Sequence, residues 1–154
     1  MTSTVTRIPG EWHIPYNYTI GDHATAFFNA LREHRILGCT CAECGRTAVP
    51  PKAFCEYCFQ PVDGTVEVGE NGVIEAVTVV TAPFAGSPPV PYAVAYARLD
   101  GATSSIANYV RGVELGEDFD LPEELAIGAP VHVVFGDVSE GRVTDFWFEP
   151  GHRD

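Results

Sequence analysis

A chain of 154 residues with 45% hydrophobic and 19% charged side chains holds enough apolar material for one compact core and a small satellite unit. Its formal net charge of −12 raises the electrostatic cost of approaching a phosphate backbone, which argues against general nucleic-acid binding; no apolar run approaches the roughly 18 residues of a membrane span. Residues Met1 to Gly10 lack the basic start and apolar run of a secretory leader, so a cytoplasmic protein is expected, and there five cysteines, an odd number, point to metal ligands or reactive thiols before disulfides.

In chain order, Met1 to Gly21 carries Pro9, Trp12, Pro15, Tyr16 and Tyr18 without a period. It reads as an extended arm that packs its aromatics on its own core or on a partner. Ala24, Phe27, Phe28 and Leu31 then fall at i, i+3, i+4 and i+7, the stripe of an amphipathic helix. The spacing predicts a helix from about His23 to Arg35, with Asp22 as N-cap and Gly38 as stop. The segment Cys39 to Cys58 is broken by Pro50 and Pro51 and is too short for a core of its own, so it needs a metal to fold. Beyond it, runs rich in Val, Thr, Tyr and Phe predict strands over Thr65–Val68, Gly72–Thr81, Tyr92–Leu99, Ser104–Val110, Val131–Val138 and Val143–Phe148. Leu121 to Leu125 fits one helical turn. Strands of this number and length suit a small closed Greek-key barrel such as an OB-fold, with a sandwich as the fallback. The expected division is an arm and helix over 1–38, a cysteine unit over 39–63 and a barrel over 64–154.

The cysteines carry the most chemistry. Cys41-Ala42-Glu43-Cys44 and Cys55-Glu56-Tyr57-Cys58 are two Cys-x-x-Cys pairs separated by ten residues, a short form of the two-knuckle spacing that builds a tetrahedral thiolate site. Gly45 follows the first pair, where a knuckle wants positive φ; Phe59 follows the second, which predicts a less regular second knuckle. Four sulfurs leave no open position for water or substrate, so the expected metal is a structural Zn2+ rather than a Lewis acid. Spacing does not distinguish zinc from iron held by the same thiolates. A thioredoxin-like redox pair wants one such motif at a helix start after a strand, not two in a proline-broken loop. Cys39, two residues before Cys41, is either a competing ligand or a small buried apolar group.

Charge is uneven. Arg32, Arg35, Arg46 and Lys52 share their segment with only Glu33 and Glu43, whereas Glu114 to Glu124 supplies six acids and reads as a solvated loop. No Gly-x-Ser-x-Gly elbow, phosphate loop, dinucleotide fingerprint or His-Glu-x-x-His helix occurs. His13, His23, His34, His132 and His152 are scattered and read as surface or satisfied histidines.

The order of parts resembles a known family: Phe27-Phe28-Asn29-Ala30-Leu31-Arg32-Glu33, then Cys41-x-x-Cys44-Gly45-Arg46, Pro50-Pro51, Cys55-x-x-Cys58, a barrel containing Gly72, and Ile127-Gly128-Ala129-Pro130-Val131. Over about residues 23 to 150 the chain is similar to the zinc-ribbon OB-fold proteins associated with acyl-CoA enzymes. It departs in lacking a glycine after Cys58 and in adding Cys39. The resemblance implies a mainly β protein with an N-terminal helix, a rubredoxin-like zinc ribbon and an OB-fold barrel. It also implies a non-catalytic small subunit of a thiolase-like, or hydratase-type, partner acting on a CoA thioester in a cytoplasmic hetero-oligomer, such as an acyltransferase or aldolase complex. The partner would hold the nucleophilic cysteine and the acid/base histidines, and this chain would dock through its ribbon and arm and shape the acyl-CoA channel. Arg46 and Lys52 are the residues expected to face CoA phosphates or an acidic partner patch. The alternatives are a nucleic-acid-binding OB module, with Tyr92, Tyr96, Tyr109, Phe135 and Phe148 stacking bases, and a free-standing acyl-CoA binder.

Overall fold

The computed structural model describes residues 14–116 and 121–151; Trp12, His13 and His152, and part of the acidic stretch, lie outside them. Residues 14–21 form no helix or strand, and Ile14, Tyr16 and Tyr18 are exposed, so the described part of the arm does not bury its aromatics on the chain's own core.

Helix α1 (Asp22–Arg32) buries Phe27 and Leu31 of the expected stripe together with Ala30, while Ala24 and Phe28 are half-buried, so one apolar face meets the core. Its ends differ from expectation. Gly21 occupies the N-cap without a side-chain cap, and Asp22 lies in the first turn, where its charge favours the helix dipole instead. The helix stops at Arg32 rather than Arg35: His34 takes φ 57°, and the amides of Glu33 and His34 turn back to Ala30 O and Leu31 O. Gly38 is no stop but sits inside β1 (Leu37–Thr40), where a Cβ would lie 2.7 Å from the carbonyl oxygen of Ala48. Close approach of β2, not helix termination, is what requires glycine there.

Strand β1 is the middle of a small antiparallel sheet, flanked by β2 (Thr47–Ala48) and β3 (Val66–Glu67). The remaining strands, β4 (Asn71–Val80), β5 (Tyr92–Leu99), β6 (Ile106–Val110), β7 (Pro130–Phe135) and β8 (Phe146–Pro150), close into a barrel in the order β4-β5-β6-β8-β7, so the sandwich fallback is excluded. In β5 the alanines Ala93, Ala95 and Ala97 point inward while Tyr92, Val94 and Tyr96 point outward, the period-2 alternation of a one-faced strand. Phe27, Leu31, Ile74, Leu99, Leu125, Phe146 and Phe148 meet in one core, which packs the helix on the barrel.

Strand β7 ends at Phe135 rather than Val138, and two strand starts move for local reasons. Residues Val143–Asp145 form a 3-10 turn instead of the start of β8, because the Asp145 carboxylate accepts the amides of Gly141 and Arg142 at 2.6 and 2.8 Å. Ser104 lies before β6 because its hydroxyl serves the ribbon, as described below. The expected turn near Leu125 is present as the 3-10 segment Glu123–Leu125. No helix among the described residues is long and apolar enough to cross a membrane.

Candidate metal centre

The loops after β1 and after Pro51 each fold into the same short turn. In the first, the Gly45 amide bonds Cys41 O at 2.9 Å and the Cys41 amide bonds Arg46 O at 2.8 Å. In the second, the Phe59 amide bonds Cys55 O and the Cys55 amide bonds Gln60 O, both at 2.9 Å. Gly45 has φ 69° and Phe59 φ 57°. The second knuckle is therefore as regular as the first, contrary to expectation; the turn's own hydrogen bonds hold a phenylalanine in a left-handed conformation that glycine adopts freely.

These turns bring Cys41, Cys44, Cys55 and Cys58 together, with all four sulfurs within 4.8 Å of one another. Cys41 Sγ lies 3.5 Å from Cys58 Sγ, and Cys44 Sγ 3.5 Å from Cys55 Sγ. A zinc–sulfur bond of about 2.3 Å in a tetrahedron gives sulfur–sulfur edges of about 3.8 Å, so the cluster has the span of a four-thiolate zinc site.

Backbone amides make the site anion-friendly in matching positions. The amide of Cys44, with that of Glu43, holds the Cys41 thiol below its ordinary range. Likewise the amides of Cys58 and Tyr57 bring Cys55 down to about 6. The second thiol of each pair moves the other way. The Arg46 amide favours the Cys44 thiolate, but burial and the thiols of Cys55 and Cys41 push it up. Cys58, despite the Gln60 amide, is pushed up to about 12 by burial and its three sulfur neighbours. Four thiolates so close resist ionising together, and a divalent cation removes that resistance.

Cys39 is outside the cluster. It is buried, and its Sγ accepts the Lys52 amide at 3.1 Å and donates to Lys52 O at 3.3 Å; it ties the proline-broken loop to β1.

The ribbon joins the barrel through hydroxyls. Thr103 Oγ1 accepts the Thr47 amide at 2.9 Å and donates to Thr47 O at 3.0 Å. Ser104 Oγ does the same for Val49, at 2.8 and 3.3 Å. Two side chains from the turn before β6 thus complete the open edge of β2 as a strand would.

The basic residues of this region do not form a bare positive face. Arg35 pairs with Glu33 and Glu67, which raise its pKa further. Lys52 pairs with Glu56, and Arg32 donates to Glu140 O and Asn29 Oδ1. Arg46 differs: its guanidinium stacks 3.4 Å over the Tyr57 ring and pairs with no carboxylate among the described residues. Phe54, Tyr57 and Phe59 beside it are exposed. Of the expected stacking aromatics, Phe148 is fully buried and Phe135 is stacked against His34 at 4.9 Å. Sequence reasoning missed the Arg46–Tyr57 stack, since the two are brought together only when the knuckles close on each other.

Two family models match the chain in order: a ChsH2 rubredoxin-like zinc ribbon domain over residues 28–62 and a ChsH2 C-terminal OB-fold domain over residues 65–136. Together they cover more than half of it. Among solved structures, the chain is similar to one described as "Ltp2-ChsH2(DUF35) aldolase", at 24% identity and TM-score 0.64 over 87% of this chain and 98% of that one. It is also similar to a protein of unknown function from the DUF35 family of Sulfolobus solfataricus, at 20% identity and TM-score 0.62 over 85% of this chain and 87% of that one. At these identities the likeness establishes the fold. No curated protein matches.

Proposed function

Because the chain belongs to the zinc-ribbon OB-fold family described by the ChsH2 domains, we propose that it is the non-catalytic small subunit of a thiolase-like or aldolase-type enzyme complex acting on a CoA thioester. The observation that carries this reading is the match of 87% of this chain to 98% of a chain from a structure described as an aldolase. In this reading the partner makes or breaks the carbon–carbon bond next to the thioester, by thiolysis, Claisen condensation or retro-aldol cleavage, and supplies the nucleophile and the acid/base groups.

Cys41, Cys44, Cys55 and Cys58 would hold a structural Zn2+ ion, which would cross-link the two knuckles and leave no open position for substrate. This chain's residues then act by docking and positioning. The exposed arm with Tyr16 and Tyr18 and the exposed Phe54 and Phe59 are aromatic anchors of the kind that dominate interface energy. Arg46 faces the CoA phosphates or an acidic patch of the partner; its Tyr57 stack holds the guanidinium plane without neutralising it. Lys52 contributes less, because Glu56 already neutralises it.

Size-exclusion chromatography of the tagged chain, expressed at native level in its own host, tests the proposal when the eluting species are identified by mass. Co-elution with a thiolase-fold protein, with zinc near one per chain, is the expected result. A chain that elutes without any such protein sinks the subunit reading and favours a free-standing acyl-CoA binder.

A further inference from the structure

Strand β4 is paired on both sides only at its start. Strand β7 pairs with Asn71, Gly72 and Val73, whereas β5 accompanies β4 to Val80. Among the described residues no strand pairs with the outer side of Ala76–Val80. Natural sheets protect such edges with lysine, inward charges, proline or a bulge. Here the register shift lies upstream, between Ile74 and Ala76, the first proline is Pro83, and no Asp, Glu, Lys or Arg occurs from Ala76 to Ala97. In a chain of net charge −12 that is a long uncharged stretch, and the space around it matches. On the β5 side of the same strand an open groove of about 410 Å³ runs from Thr78 and Val80 across Tyr92 and Val94 to Tyr109, with no charged residue in its lining. Burial raises the Tyr92 pKa, and Phe84 and Tyr96 stand exposed next to it.

We infer that this edge pairs with the same edge of a second copy of the chain, antiparallel about a two-fold axis through Thr78. Two chains of like charge repel over most of their surfaces, and the uncharged β4–β5 face is where they approach without that cost. The sequence is self-complementary there. Centring on Thr78 sets Val77 against the second copy's Val79, a favourable β-branched pair, and Ala76 against its Val80, an uncharged apolar pair. Glu75, already held by Arg98 and Ser105, then faces Thr81 rather than another acid. The contact is isologous and closes on itself. It does not depend on the enzyme partner, so it stands or falls separately from the subunit reading.

The test is light scattering on the purified, zinc-loaded full chain across the micromolar range. The expected mass is twice the 16.7 kDa of the chain. Thr78→Lys and Thr78→Glu each place like charges across the axis and should raise the dimer dissociation constant about tenfold or more. Mixing the two variants should restore the dimer, which a variant that merely misfolded would not do. A wild-type mass that stays at 16.7 kDa throughout, or a Thr78→Lys/Thr78→Glu mixture no more associated than either variant alone, overturns the inference.

Discussion

Phe59 and Gly45 occupy equivalent places in two copies of one turn, yet only one of them is a residue suited to the geometry. A non-glycine residue in the left-handed region costs about 1–2 kcal/mol, and Phe59 recovers little of it by burial, being 78% exposed. Phe59→Gly should therefore stabilise the zinc-loaded chain by about 1 kcal/mol, less the entropy glycine loses on folding, visible as a higher thermal midpoint; an unchanged or lower midpoint would show that the ring has a packing role. Gly45 was legible from sequence because glycine announces positive φ. Phe59 was not, since the hydrogen bonds that impose its conformation exist only once the knuckle has formed. At Glu75, the Ser105 hydroxyl and Arg98 guanidinium hold the carboxyl below its usual range. A depressed carboxylate pKa contributes stability above the unfolded value of about 4.3, and that contribution fades as pH falls through the folded value. Carboxyl NMR titration should place the Glu75 midpoint below that of a free glutamate, and Arg98→Ala should move it up; a midpoint unmoved by the substitution refutes the assignment.

Among the elements, the strands with strict alternation were read with little error: β5 runs over Tyr92–Leu99 as its pattern of small inward and large outward residues predicts. Errors fell where side chains compete with the ladder. Ser104 and Val143 look like strand residues, but Ser104 caps β2 and Val143 is drawn into the turn around Asp145. The hydroxyl joint has a measurable weight. Thr103→Val keeps shape but leaves the amide of half-buried β2 without its acceptor, which costs about 1–3 kcal/mol. The ribbon should then release zinc faster to a chelator, while the barrel's thermal transition shifts less; equal release rates for variant and wild type would show the joint to be dispensable.

For the whole molecule, the four-cysteine spacing and the order of helix, ribbon and barrel were visible in the sequence, because cysteines and breakers mark them directly. The uncharged groove was not, since β4, β5, β6 and the turn at Val143 and Thr144 meet only in the closed barrel. The two cores are unequal: one spans helix and barrel, while the ribbon's own consists of Cys39, Cys41, Cys55 and Val62 with Ala48 and Cys58 against them. Such a cluster cannot hold itself together without metal. Stripping zinc with a strong chelator should therefore melt the ribbon in a separate, earlier transition and leave the barrel folded; one transition, unchanged by chelation, would contradict a structural metal. Ile36, Leu37 and Val49 belong to the larger core, so the part of the ribbon nearest the barrel should keep its order longest. The hydroxyl joint also turns two amides into reporters. The N–H groups of Thr47 and Val49 end on oxygens from another part of the chain, so their hydrogen–deuterium exchange tracks separation of ribbon from barrel rather than fraying of either. A ligand or enzyme that clamps the two units together would slow those two amides before it altered any others.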